Sequence, residues 1–228
     1  MIEESSPATV IAPRSPAIDA EEPLIVIADD SVDQREAMEE LFDSVGIQTL
    51  TFANARDLLD SPLPDRPGCF ILDVRMPGPS GLDLQAQLVD KGHLMPIIFV
   101  TGHGDVPMSI RAIKAGAFDF KTKPVRDQDL LDAATAAIEE DRTRRAIDRV
   151  AQESLAKFSS LSARERQVLE LILGGLLNKQ IAYELGVTEA TIKLHRGNVM
   201  KKMGVGSIAE LARMWDHVPP SLRQGDAV

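Results

Sequence analysis

Five short apolar runs, each followed by a helix-like segment, constrain this chain more than any other feature of its sequence. "LIVIAD" (24–29) leads into "SVDQREAMEELFDSVG", "IQTLTF" into "ANARDLLDS", "CFILD" (69–73) into "GLDLQAQLVDKG", "PIIFVTG" into "VPMSIRAIKAG", and "AFDF" (117–120) into a helix after Pro124. Parallel neighbours need a crossover between them, and strands buried on both faces read as continuous apolar runs. The pattern predicts an α/β domain of roughly 120 residues, a doubly wound five-stranded parallel sheet covered on both faces. Ser31 is placed to cap the first helix and Gly46 to stop it.

In open parallel sheets, ligands bind outside the carboxyl ends of the strands. The residues that fall there are Asp29 and Asp30 after the first run, Asp73 after the third, Thr101 after the fourth, and Lys123 with Pro124 after the fifth. A buried carboxylate is costly without a partner, so the acid inside "CFILDVRMPG" needs one. Three carboxylates with no metal-binding His suit a hard cation, Mg²⁺ or Mn²⁺. That cation and the Lys123 ammonium would favour the charged form of Asp73. Such a carboxylate can act as the nucleophile of phosphoryl transfer and hold an acyl phosphate, with the Thr101 hydroxyl on the new phosphoryl oxygens. Each residue alone has a plainer reading. Paired Asp after a strand commonly caps a helix, Lys-Pro is commonly loop, and His103 in "TGHGD" reads as a turn residue. Placement on successive strand ends is what carries the chemistry.

The rest of the chain changes character. From Pro124 a helical pattern runs without Gly or Pro to Phe158, with apolar positions at Ile138, Ile147, Val150 and Leu155. It predicts a long linker helix whose heptads are irregular for a coiled coil. Four helices separated by Gly-bearing turns follow: "LSARERQVLELILGG", "NKQIAYELG", "TEATIKLHRGNVMKKMG" and "SIAELARMW". Ser162 to Glu165 reads as a capping box and Thr188 as the N-cap of the third helix. That helix carries Lys193, His195, Arg196, Asn198, Lys201 and Lys202 behind a tight turn at Gly186, the layout of a helix-turn-helix. The net charge of −10 argues against nucleic acid until it is divided: from Phe158 onward there are 9 Lys and Arg against 7 Asp and Glu. The acidity lies in the front part, so the two parts meet different partners. The single cysteine, Cys69, excludes a disulfide scaffold and reads as buried filler. No apolar stretch approaches the roughly 20 residues that span a bilayer. The acidic, Pro/Ser/Ala-rich start lacks the basic and apolar regions of a secretory signal, which predicts a disordered leader on a cytoplasmic protein.

"IADDS", "ILDVRMPGPSGLDL", "FVTGHGDVPMSIRAIKAGAFDF" and "KTKP" resemble the receiver domain of two-component response regulators, and "LSARERQVLELILGGLLNKQIAYELGVTEATIKLHRGNVMKKMG" resembles the LuxR-type DNA-binding domain. Together they resemble the NarL/FixJ class, nearest its FixJ-like branch. The resemblance implies a flavodoxin-like receiver in which Asp73 is the phosphoacceptor. It implies that Asp29, Asp30, Asp73 and the backbone carbonyl of Arg75 hold the metal, and that Lys123 contacts the phosphoryl group. Thr101 and Phe120 match the switch pair, the hydroxyl moving toward the phosphoryl group and the ring turning inward behind it. The change would reach a dimerisation face formed by residues 106–121 and the helix after them, with the linker helix a second candidate surface. Three positions depart from the pattern. Phe120 stands where many receivers have Tyr, Arg75 lies two residues after the acceptor where side chains affect water access, and Leu177 replaces the usual Ser or Thr cap. Asn178 must then supply that cap or it is lost, at about 1 kcal/mol.

On the same resemblance, Lys193, Leu194 and Gly197 would face base edges, whereas Arg196, Asn198, Lys179 and Lys201 would meet phosphates, which position without specifying. The expected parts are a leader (1–22), receiver core (23–126), receiver helix extending into the linker (127–157), DNA-binding domain (158–217) and tail (218–228). The reading is a phosphorylation-activated transcription regulator, served by a sensor histidine kinase and acting on double-stranded promoter DNA as a homodimer, with RNA polymerase a candidate partner. Two alternatives belong to other classes. A haloacid-dehalogenase-like phosphatase would place a second Asp where Arg75 stands, and a phosphoryl-sink adaptor would carry a DNA domain without function.

Overall fold

The structure is a computed structural model describing residues 22–102, 106–216 and 218. The expected leader before Glu22, the turn residue His103 and the tail after position 218 lie outside the described residues. The chain divides into two compact units, up to Thr143 and from Arg144 onward.

The first unit contains β1 (Leu24–Ala28), α1 (Val32–Asp43), β2 (Gln48–Phe52), α2 (Ala55–Asp60), β3 (Gly68–Leu72), α3 (Gly81–Asp90), β4 (Ile97–Thr101), α4 (Val106–Lys114), β5 (Asp119–Thr122) and the start of α5 (Asp127–Ser159). The strands form one sheet in the order β2-β1-β3-β4-β5, every pair parallel. The three inner strands are buried throughout, which is why they read as unbroken apolar runs. Their side chains still alternate between faces. Val26, Phe70, Leu72 and Phe99 pack on one side with Leu58, Leu84, Leu88 and Ala112. Ile25, Ile27, Ile71 and Ile98 pack on the other with Met38, Phe42, Leu130, Ala134 and Ile138. Full burial of each such side chain contributes about 1.5–3 kcal/mol. Cys69 lies in the second of these layers, and burial followed by the Asp141 charge pushes its thiol up to about 12.

The fifth strand differs from the expected "AFDF". Ala117 and Phe118 pack into the cores, and the strand proper is Asp119–Thr122, paired with β4 from Ile98↔Asp119 to Thr101↔Thr122. At a sheet edge the ladder to one neighbour decides the strand, so polar Lys121 and Thr122 are included although they carry no apolar signal.

α5 is continuous over 33 residues. Leu130 to Ile138 belong to the first unit's core, and the wholly buried Asp141 accepts a 3.0 Å hydrogen bond from the Gly68 N–H. Its last turn brings Phe158 into the core of the second unit. There α6 (Ala163–Leu173), α7 (Asn178–Glu184), α8 (Glu189–Met203) and α9 (Ile208–Asp216) enclose Val168, Leu169, Ile172, Ile181, Ile192, Val199, Met203 and Leu211. Trp215 meets the Phe158 ring edge-on at 5.3 Å. Among the described residues no helix is long and apolar enough to cross a membrane.

Candidate functional site

Strand ends in the first unit gather the predicted acids. Asp29 follows β1, Asp73 follows β3, and the Asp73 N–H donates to the Ala28 carbonyl at 2.8 Å, which locks the two turns together. Asp29 and Asp73 are buried, Asp30 is exposed, and one carboxylate oxygen from each lies within 4.8 Å of the others. From the end of β5, Lys123 donates to Asp29 Oδ2 at 2.5 Å and to Asp73 Oδ2 at 3.0 Å, while its own N–H bonds the Thr101 carbonyl. Partial burial opposes the Lys123 charge, but the bonds it donates to the two carboxylates outweigh this and hold its ammonium above the ordinary value. Three carboxylates against one ammonium leave two negative charges in excess. Hard anionic oxygens with that balance fit a divalent cation such as Mg²⁺.

The β4–β5 ladder brings the remaining predicted residues alongside. Thr101 is wholly buried. Phe120, opposite Phe99 in the register, is half-buried with its ring 6.3 Å from that of Phe99. It lines a cavity of about 490 Å³ together with Val106, Ser109, Thr122 and Pro124. The Arg75 N–H donates to Asp73 Oδ1 at 3.1 Å.

Two supporting residues, Arg35 and Gly81, escaped the sequence reading. Arg35 on α1 reaches back to the Asp29 carbonyl at 2.6 Å, and the Ser31 N–H orients Asp29 Oδ1 at 3.0 Å. A lone Arg in an acidic helix gives no signal of such a contact. Gly81 opens α3 directly against the acceptor turn, where a Cβ would overlap the Asp73 carbonyl and the Val74 Cα. Its N–H donates to the Val74 carbonyl. The run "GPSGLDL" held a clue, since glycine is the residue that permits close backbone approach.

In the second unit, Gly186 adopts φ +65°, a left-handed conformation that glycine takes without strain, and so turns the chain between α7 and α8. The Thr188 hydroxyl caps α8 by accepting from the Thr191 N–H at 3.2 Å. Lys193, Leu194, Gly197, Asn198 and Lys201 are exposed on α8, as is Lys179 on α7. Arg196 is half-buried and donates to Asn178 Oδ1 at 3.1 Å. Asn178 therefore serves α8 and does not take over the cap that Leu177 lacks. Gln180 instead covers part of the loss, accepting from the Leu177 N–H at 2.8 Å. Lys202 is engaged with Glu165, at 2.7 Å.

Similarity to known proteins follows the same division. Residues 25–135 match the response regulator receiver domain, and residues 159–215 match the bacterial regulatory proteins of the luxR family. The chain is 49% identical to nodulation protein W of Bradyrhizobium diazoefficiens over 84% of each protein. It is 46% identical to the response regulator protein TodT of Pseudomonas putida, over 87% of this chain and 88% of that one. Among solved structures, the response regulator StyR superposes with a TM-score of 0.81 at 43% identity, covering 86% of this chain and 98% of the other. Full-length FixJ from B. japonicum gives 0.54 at 38% identity, covering 86% and 97%. These relatives favour a regulator over a phosphatase or a phosphoryl-sink adaptor. A receiver joined to a LuxR-type DNA-binding domain, in a chain this similar to whole regulators, makes the protein a two-component response regulator of the NarL/FixJ class and a transcription factor.

Proposed function

We propose that Asp73 accepts the phosphoryl group from a sensor histidine kinase, and that the Lys123 ammonium bridging Asp29 and Asp73 is the observation that carries this assignment. An Asp73 carboxylate oxygen forms the new bond to phosphorus as the bond to the kinase's histidine nitrogen breaks, the electron pair remaining on the imidazole. Lys123, preset between two carboxylates, meets the charge that develops on the phosphoryl oxygens without reorganising. Asp29, Asp30, Asp73 and the backbone carbonyl of Arg75 would hold Mg²⁺ or Mn²⁺, which would supply positive charge to those oxygens. The receiver thereby assists its own phosphorylation. It also assists hydrolysis, in which water attacks phosphorus and restores the carboxylate beside Arg75.

The acyl phosphate adds about −1.5 to −2 charge units and strong acceptors. The Thr101 hydroxyl turns toward them and the Phe120 ring moves inward, which remodels the face made by α4, β5 and α5. Val106, Ile110 and Ile113 are exposed there, an apolar set suited to a second copy, with Ile147 and Val150 on the linker part of α5 a further contact. Two DNA-binding units brought together raise affinity through effective concentration, which matters when each carries a small positive charge. On DNA, Lys193 and Leu194 read base edges, Gly197 allows close approach, and Lys179, Arg196, Asn198 and Lys201 hold phosphates. RNA polymerase is the candidate next partner.

Intact mass after incubation with Mg²⁺ and a small phosphodonor tests the acceptor directly. One added phosphoryl group in the wild type and none in Asp73→Asn is the expected result; equal addition to both moves the acceptor elsewhere.

A further inference from the structure

Lys202 follows Lys201 in sequence, but α8 turns it to a different side. At about 100° per residue, Lys193, Gly197 and Lys201 form one exposed row flanked by Leu194 and Asn198. Lys202 instead shares its side of the helix with His195 and the wholly buried Val199, although its own side chain is still exposed. Its ammonium donates to Glu165 Oε2 at 2.7 Å and to the Ser160 carbonyl at 3.2 Å. The same Glu165 oxygen accepts the Ser162 N–H at 2.8 Å. One carboxylate therefore completes the first turn of α6 and holds the last turn of α8. Glu165 is only 5% exposed, and a carboxylate so placed needs its charge paired. On the opposite flank Arg196 ties α8 to Asn178 at the start of α7. The helix is gripped from both sides, and its solvent row is the part left unengaged.

We propose that Lys202 is a positioning residue for DNA recognition and not a phosphate contact. With Glu165 and Ser160 it fixes the rotation of α8 about its axis, so that Lys193 and Leu194 meet base edges in register. The inference rests on α8 being the recognition helix. A side chain that reads a base tolerates displacements of about 0.5 Å or rotations of 10–20°, whereas electrostatic attraction to the phosphate backbone is far less exacting. Loosening the clasp therefore weakens specific binding more than non-specific binding.

The experiment titrates phosphorylated full-length protein against two duplexes, one selected from a random-sequence pool by the wild type and one scrambled, over a range of salt. Lys201→Ala should weaken both alike and reduce the salt slope by about 0.9, the loss of one phosphate contact. Lys202→Ala should weaken the selected duplex about tenfold or more, change the scrambled one less than about twofold, and keep the wild-type slope. Glu165→Gln should behave the same way, the double variant should lose no more than either single one, and Lys202→Arg should recover most of the affinity. Lys202→Met, which keeps the aliphatic stem, replaces the alanine variant if circular dichroism shows the latter unfolded. A slope reduced by about 0.9 with equal losses on both duplexes makes Lys202 a phosphate contact and overturns the proposal. Equal losses at unchanged slope make the clasp merely structural and overturn it too. A wild type that binds neither duplex overturns instead the assignment of α8 on which the proposal rests.

Discussion

The carboxylate edge of the sheet and the exposed row of α8 are charged sites built on opposite plans. At the first, opposite charges converge from three strand ends, two of the acids are buried, and Lys123 sits within 3.0 Å of both. At the second, like charges line a solvent-facing row, and the helix is held by Arg196 and Lys202 on its flanks. On the proposed function the difference follows from the ligand. Phosphoryl transfer happens at one atom and requires donors already in place, whereas DNA brings its own regular array of countercharge and needs only a surface at the right angle.

The largest effects are expected at the first site. Asp73→Asn keeps an acceptor for the Arg75 N–H and so keeps the turn, yet it should abolish phosphoryl addition, as read by intact mass. Lys123→Met should slow phosphorylation by about 10²- to 10³-fold, the effect of removing one preset charge-stabilising group; rates from a small phosphodonor check this without involving a kinase. An equally severe effect from any single substitution in the row of α8 would erase the distinction between the two plans.

Two glycines sharpen it on the scale of stability. Gly81→Ala forces a Cβ against the Asp73 backbone and should destabilise the first unit by about 1–3 kcal/mol, measured by urea unfolding. Gly197 has open space around it, so Gly197→Ala should stabilise the helix by about 0.5–1 kcal/mol. It should nonetheless weaken binding to the selected duplex if the backbone approaches DNA there, a trade that paired melting and titration would detect.

A separate test concerns pH. The bond from Lys202, then that from the Ser162 N–H, hold the Glu165 carboxyl down from 4.5 to about 2. A folded value below the unfolded one means that the unfolded chain takes up its proton first as pH falls. The stabilisation is therefore complete above 4.5, declines below it, and is gone once the pH has passed through about 2. The stability gap between wild type and Glu165→Gln should close across that window, which thermal melts at stepped pH would follow.

How much of this was legible in the sequence depended on whether the signal was local. The inner strands, the caps at Ser31, Ser162 and Thr188, and the acids at the strand ends are written in short stretches, and each is found where its stretch placed it. The bounds of β5 were misread because an edge strand is set by hydrogen bonds to β4, not by its own apolar content. Arg35 on Asp29 and Lys202 on Glu165 were illegible for a related reason. Both belong to charge-rich helices where a solvated and an engaged cation look alike, and only the packing of one element on another distinguishes them. Leu177 was recognised as a lost cap, but the response to it, Gln180 covering one N–H while Asn178 turned to Arg196, required the neighbouring helix.

If the two sites are coupled as proposed, a phosphoryl group on Asp73 raises affinity for DNA. Titration of the selected duplex with wild type and Asp73→Asn, each with and without Mg²⁺ and a small phosphodonor, tests it most directly. Affinity should rise for the phosphorylated wild type alone. A wild type whose intact mass includes the phosphoryl group but whose affinity is unchanged, or an equal gain in both proteins, would contradict it.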